Sequence, residues 1–300
     1  MLLPKTIAVE KEVSFAEKMQ DYVQLVKMRL SVLVVFSAAM GFMIATRGDF
    51  SWSTLLLLVT GGFLVTASSN AFNQVIERDA DKLMQRTANR PLPAGRMSVS
   101  EALTAAFLMG AAGIAILWFY MNPLCGVLSA LSLLLYVLAY TPSKKVTPFS
   151  VLIGALPGAF PPMLGWIAAK NEIGFEALIL YVIQFAWQFP HFWAIAWNLD
   201  DDYRNAGFKM LPSRGGRDKT SAFLTMTYTA FLLPLTFFLY YFEITRPVAT
   251  IVILLFGIRF TWQSYMLFRE CSLKAAQAVM FGSFIYLPVI QLVIMLDKIL

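Results

Sequence analysis

Nine apolar runs, each close to the about 20 residues that cross roughly 30 Å of hydrocarbon, constrain this chain more than any other feature. They lie near residues 23–45, 52–76, 98–120, 123–141, 149–169, 175–197, 220–241, 247–268 and 276–296. In hydrocarbon every backbone N–H and C=O must find a partner within the protein, so only helices and closed barrels span a bilayer. The runs are continuous, with Gly and Pro scattered inside them, whereas barrel strands alternate in polarity over about 10 residues. An all-α polytopic membrane protein follows, with about nine transmembrane helices around a central cavity. A soluble domain is excluded by 58% hydrophobic against 14% charged residues and a mean hydropathy of +0.66. Residues 1–22 read as a polar N-terminal tail and residues 23–300 as a single transmembrane domain.

Lys and Arg concentrate in cytoplasmic loops. With a cytoplasmic N-terminus, 19 of the 24 fall on that side and four (Arg47, Lys170, Arg246 and Lys298) on the other, with Arg259 inside a span. The net charge of +6 is therefore mostly a topology signal, and nucleic-acid binding is not expected. Residues 1–22 carry Lys but no Arg, and four acids, which does not fit an Arg-rich mitochondrial leader. A multi-pass protein of a bacterial inner membrane is expected. Cys125 and Cys271 fall near opposite faces and are not expected to pair.

Two dense charge clusters interrupt the apolar pattern, NQVIERDADKLMQRTANRPLPAGR at 73–96 and NLDDDYRNAGFKMLPSRGGR at 198–217. Both are expected on the cytoplasmic side. They sit four helices apart and end in the similar phrases LPAGR and LPSRGGR, which fits duplication; Pro, Gly and Arg are also common at any helix exit. Ser98 with Glu101 reads as a capping box, and Thr220 or Ser221 as a cap for the seventh span. A third loop on this side, TPSKKVTPFS at 141–150, is short and basic.

In the first cluster Asn73, Glu77 and Asp81 are spaced i, i+4, i+8 and so share a helical face, with Asn70 on the same stripe. Asp79 lies off this line and reaches the same ion only if the helix unwinds at its end. Such oxygen donors suit Mg²⁺, which takes one or two carboxylates and leaves positions for water and phosphate oxygens. Arg78, Arg86 and Arg90 add guanidinium forks that match phosphate. In the second cluster Asn198 and Asp202 repeat the i, i+4 spacing, and the acids Asp200 to Asp202 repel one another unless cations hold them. Arg204, Lys209, Arg214 and Arg217 can meet a diphosphate from the opposite side, and the third loop, with Lys144, can complete the pocket. A plainer reading has the arginines on anionic lipid headgroups with the acids pairing to them. Two such clusters on one face favour the metal-diphosphate reading.

His191, the only histidine, lies in QFPHFWAIAW. It is either a packed, hydrogen-bonded core residue or a functional one that contacts a substrate or takes a proton. The run GALPGAFPPMLGW at 154–166 predicts irregular backbone in the fifth span, which membrane proteins tolerate where it lines a cavity.

ERDADKLMQRTANRPLPAG, YTPSKKVTPFSVLIGALPGAFPPMLGW and FPHFWAIAWNLDDDYRNAGFKMLP make the chain resemble the intramembrane aromatic prenyltransferases typified by 4-hydroxybenzoate polyprenyltransferase. Within that superfamily the middle and last segments are similar to the branch that farnesylates haem. Glu77 stands where the superfamily's first motif, NxxxDxxxD, usually has Asp, and Asn198 takes the first place of the second motif. The resemblance implies transfer of farnesyl from farnesyl diphosphate to a vinyl group of haem B, giving haem O and diphosphate. It implies Mg²⁺ held by Asn73, Glu77, Asp79, Asp81, Asn198 and Asp202, with Asn73, Glu77, Asp81 and Asp202 catalytic. Diphosphate falls to Arg78, Arg86, Arg90, Lys144 and Arg214, and haem to His191. Besides the two substrates and the lipid bilayer, the implied partners are a haem A synthase and oxidase assembly factors. A quinone or chlorophyllide acceptor is the alternative within the superfamily. A transporter is the alternative outside it, though its coupling acids would sit at mid-membrane.

Overall fold

The computed structural model describes residues 14–47 and 49–299, and among these nine helices are long and apolar enough to cross a membrane. In chain order the elements are α1 (Phe15–Leu25), α2 (Met28–Thr46), α3 (Trp52–Ile76), the short turn α4 (Arg78–Asp81), α5 (Val99–Met121) and α6 (Pro123–Val146). They continue with α7 (Ser150–Lys170), α8 (Phe175–Asn198), the short α9 (Asp200–Asn205), α10 (Lys219–Tyr241), α11 (Pro247–Glu270) and α12 (Leu273–Ile299). Spans alternate in direction, so both charge clusters, the 141–150 loop and Lys27 gather at one end of the bundle. Lys209 N–H donates to the Lys144 carbonyl at 2.7 Å and joins two of these loops directly.

The first span begins later than the apolar run predicts, at Met28 rather than residue 23. Lys27 adopts a left-handed backbone (φ 48°) that separates α1 from α2. The break strands carbonyls, and polar side chains of α3 and α2 collect them. Gln74 Nε2 donates to Gln24 O and Leu25 O, and Asn70 Nδ2 to Val26 O and Ser31 Oγ, while Ser31 Oγ donates to Val26 O. The boundary expected at residue 22 therefore falls inside a docked helix, and residues 1–13 of the expected tail lie outside the described residues. Asp21 of α1 is buried against Arg96 at 2.9 Å, and Lys18 and Tyr22 both bond Glu101 at 2.8 Å. That use of Glu101 leaves the predicted capping box half made, with only Glu101 N–H donating to Ser98 Oγ. At α10 the cap is Asp218, whose Oδ1 accepts from Ser221 N–H, rather than Thr220 or Ser221.

Helices cannot associate in lipid through hydrophobic burial, so close backbone approach and hydrogen bonds carry the packing. A Cβ on Gly41 would land on the Pro162 carbonyl, and one on Gly165 on the Ala38 carbonyl, so α2 and α7 touch backbone to backbone. The irregularity expected within 154–166 appears at Ala159, which divides α7 into Ser150–Gly158 and Phe160–Lys170. Pro161 and Pro162 have no N–H for the carbonyls four residues earlier. Ser132 Oγ donates to the Pro157 carbonyl at 3.3 Å and Gln184 Nε2 to the Gly158 carbonyl at 3.1 Å, which repairs both losses. Helices α2, α3, α6, α7, α8 and α12, with Leu117 of α5, surround a cavity of about 510 Å³, to which α10 and α11 contribute no side chain. Cys125 and Cys271 are free, as expected.

Candidate active site

Helix α3 ends at Ile76, yet the bonds Glu77 N–H to Asn73 O (2.9 Å) and Asp81 N–H to Glu77 O (2.8 Å) carry the helical register through the interruption. Asn70, Asn73, Glu77 and Asp81 therefore stay on one face and all line the cavity at its charged end. Lys27, Arg86, Arg90 and Lys144 line the same end, giving four cations around two carboxylates.

The contacts among these groups are short and largely buried. Arg90 Nη1 lies 2.7 Å from Asp81 Oδ2, and Lys144 Nζ 2.8 Å from Glu77 Oε1. Lys144 also sits over the Tyr140 ring, 4.6 Å from its centroid. Lys27 Nζ donates to Asn73 Oδ1 at 2.9 Å, and Asn73 Nδ2 to Thr141 Oγ1 at 3.3 Å. Burial, reinforced by Arg90 and Lys144, lowers the Lys27 ammonium to about 7 against the opposing pull of Glu77 and Asp81. Burial is the main cause, so a polyanion that enters beside Lys27 would favour its charged form.

Among the described residues no three His, Cys, Asp or Glu side chains form a ready-made metal cage. Mg²⁺ does not need one, since it keeps waters and substrate phosphate oxygens. Asp81 is fully buried and its Oδ1 has no hydrogen-bond partner, which leaves a hard oxygen donor unsatisfied at the cavity. Glu77 and Asn73 lie one and two turns back on the same face, so the donor types lining this end, two carboxylates and an amide oxygen, are those magnesium takes.

Other sequence-derived candidates lie elsewhere. Arg78 and Lys82 both pair with Asp79 in an exposed cluster outside the cavity. Asp202 accepts from the backbone N–H groups of Gln85 and Arg86, each at 3.3 Å, and so holds the loop that carries Arg86 and Arg90. Asp200 pairs with Arg204 at 2.9 Å and Asp201 with Arg217 at 3.1 Å, so each acid of the triplet has its own partner. Burial raises the Asp200 carboxyl, with Arg204 and Arg217 opposing. Asn198 Nδ2 returns to the Ala194 carbonyl at 2.8 Å, and Arg214 is exposed before α10.

Deeper, the cavity turns apolar, with Val35, Leu58, Val65, Leu117, Phe160 and Leu164 among its walls. His191 lines it with only 9% of its surface exposed, stacked on Trp187 at 4.3 Å. Leu30, Leu33 and Phe284 line it while staying 46%, 55% and 44% exposed, so the cavity reaches the flank of the bundle between α2 and α12. Sequence reasoning counted Lys27 only as topology charge and passed over Gln184 and Gln188. The latter pair, at i, i+4 on an otherwise apolar span, was a legible signal, whereas no local pattern around Lys27 betrayed its role.

The UbiA prenyltransferase family matches residues 34–287. A protoheme IX farnesyltransferase of Cytophaga hutchinsonii is 50% identical over 284 residues, 95% of this chain and 99% of that protein. That of Christiangramia forsetii is 44% identical over 94% of this chain and 95% of its own length. Among solved structures, digeranylgeranylglyceryl phosphate synthase superposes with a TM-score of 0.79 at 19% identity, covering 94% of this chain and 99% of that one. A UbiA homologue of Archaeoglobus fulgidus bound to GPP and Mg²⁺ gives 0.66 at 18% identity, covering 91% and 99%.

Proposed function

The chain belongs to the UbiA prenyltransferase family, and on that footing we propose that it transfers the farnesyl group of farnesyl diphosphate to a vinyl group of haem B, yielding haem O and diphosphate. The observation that carries this reading is one cavity whose charged end holds two carboxylates among four cations and whose interior is apolar. Near full-length identity to protoheme IX farnesyltransferases supports the acceptor.

The chemistry asks for two things of this chain. The farnesyl C1–O bond breaks as the vinyl terminal carbon bonds C1, and diphosphate leaves with the electron pair. The cation left on the carbon next to the porphyrin then takes a water oxygen and releases a proton. Lys27, Arg90 and Lys144 stabilise the departing charge in a largely buried setting where each contact is strong, and the exposed Arg86 adds charge at the rim. Asn73, Glu77 and Asp81 would hold Mg²⁺, which supplies Lewis-acid neutralisation of the diphosphate. The apolar interior encloses the farnesyl chain and keeps stray water from the cation until the acceptor has reacted. Asp202 serves by fixing the 85–90 loop, and Asp79, Asn198, Arg78 and Arg214 remain outside this core set.

The excess of Lys and Arg on the charged end favours a cytoplasmic orientation for it in a bacterial inner membrane. Haem A synthesis and oxidase assembly are the processes that would consume the product. Purified protein with haem B, farnesyl diphosphate and Mg²⁺ should give a porphyrin heavier by farnesyl plus water in mass spectrometry, and EDTA should abolish the gain. No gain, while a quinone precursor is prenylated under the same conditions, would replace haem as the acceptor.

A further inference from the structure

We infer that His191 binds the iron of the haem acceptor through Nε2 and thereby sets where the porphyrin sits. The inference rests on the haem reading above and goes beyond it by naming the atom and the bond.

The tautomer follows from hydrogen-bond accounting. Ser283 Oγ lies 2.6 Å from the Met280 carbonyl and 2.8 Å from His191 Nδ1. A carbonyl cannot donate, so the single hydroxyl proton of Ser283 goes to Met280 O, and the Ser283 oxygen is left to accept from His191. Nδ1 therefore carries the imidazole proton, and Nε2 keeps its lone pair, an assignment made from the network around the ring. Among the described residues no hydrogen bond reaches Nε2, and the side chain, nine-tenths buried, lines the cavity. A bare nitrogen acceptor facing an apolar hollow costs free energy unless a ligand satisfies it.

The ring is also held still. Trp187 stacks on it with planes 19° apart, and Trp187 Nε1 is fixed by the Ser283 carbonyl at 3.0 Å. Phe192 and Phe284 meet it edge to face at 5.3 and 5.2 Å. Metal-binding histidines are built this way, with one ring nitrogen donating to an orienting oxygen and the other free for the metal, and imidazole is a usual axial ligand of haem. His191 lies seven residues before the end of α8, about 10 Å of helix rise from the charged end. Phe284, at the flank opening, touches the same ring, so the proposed ligand stands where a flat hydrophobic molecule from the bilayer would arrive.

The test is a haem titration of the full-length protein in nanodiscs, read by absorption and electron paramagnetic resonance. Wild type should show a histidine-ligated haem. His191→Ala should lose that signature and at least roughly tenfold in haem affinity, and added imidazole should restore the spectrum. Iron-free protoporphyrin IX isolates the bond, because its affinity should be the same in wild type and variant. If His191→Ala does not fold, Ser283→Ala retains the ring and should still weaken haem binding by roughly tenfold, with protoporphyrin binding unchanged. Haem bound with the same spectrum and the same preference over protoporphyrin in wild type and variants would overturn iron ligation, even if turnover fell, and would leave haem as the acceptor. Wild type that neither binds haem nor farnesylates it would overturn the acceptor reading and the ligand together.

Discussion

Asp81 is the side chain on which the charged end turns, since one of its oxygens meets Arg90 at 2.7 Å and the other has no partner. Asp81→Asn keeps the shape and removes the charge, leaving Arg90 partly buried without its counter-ion. Turnover should fall by roughly 10²-fold or more, with the fold retained, as checked by initial rates alongside a thermal melt. A folded variant that farnesylates haem at the normal rate would sink the assignment. The spacing that revealed Asp81 worked because backbone bonds bridge Glu77 and keep Asn73, Glu77 and Asp81 in register. The same spacing misleads at Asn198 and Asp202. There too i to i+4 backbone bonds carry the register, from Leu199 to Ile195 and from Tyr203 to Leu199, but Asn198 returns to the Ala194 carbonyl and Asp202 turns to the amides of another loop. Lys27 was hidden for a related reason, because what aims it at Asn73 is a tertiary contact and not a local pattern.

At the level of elements, proline and glycine made the break in α7 legible, since two missing N–H groups must leave two carbonyls to be repaired. The break between α1 and α2 carried no such sign, as VQLVKMRLSV contains neither residue and its carbonyls are capped by Asn70 and Gln74 from α3. Where α2 meets α7, Gly165→Ala would press a methyl group onto backbone, which has no rotamer by which to yield. It should destabilise the detergent-solubilised protein by about 1–3 kcal/mol. Gly62→Ala is the matched control, because its nearest neighbour is a Val35 methyl at 3.8 Å and ordinary contact results. Equal melting temperatures for the two variants would refute backbone contact between α2 and α7.

For the whole molecule, nine spans and one charged end were readable from hydropathy and from Lys and Arg placement, while the cavity's depth and flank depended on how the helices pack. Because Arg90 and Lys144 already engage the two carboxylates, Mg²⁺ alone must compete with them, whereas a diphosphate draws the cations away and frees the oxygens. Metal and diphosphate should therefore bind cooperatively. Farnesyl diphosphate with Mg²⁺, at about a hundred times the joint dissociation constant, should stabilise the protein by about 2.7 kcal/mol, and either alone by much less. A full thermal shift from Mg²⁺ alone would contradict this coupling. The opening between Leu30, Leu33 and Phe284 faces the flank of the bundle. A molecule that arrives through it comes by two-dimensional diffusion within a leaflet, so the quantity that governs occupancy is its mole fraction among the surrounding lipids, and adding inert lipid dilutes the substrate even when nothing in the water has changed.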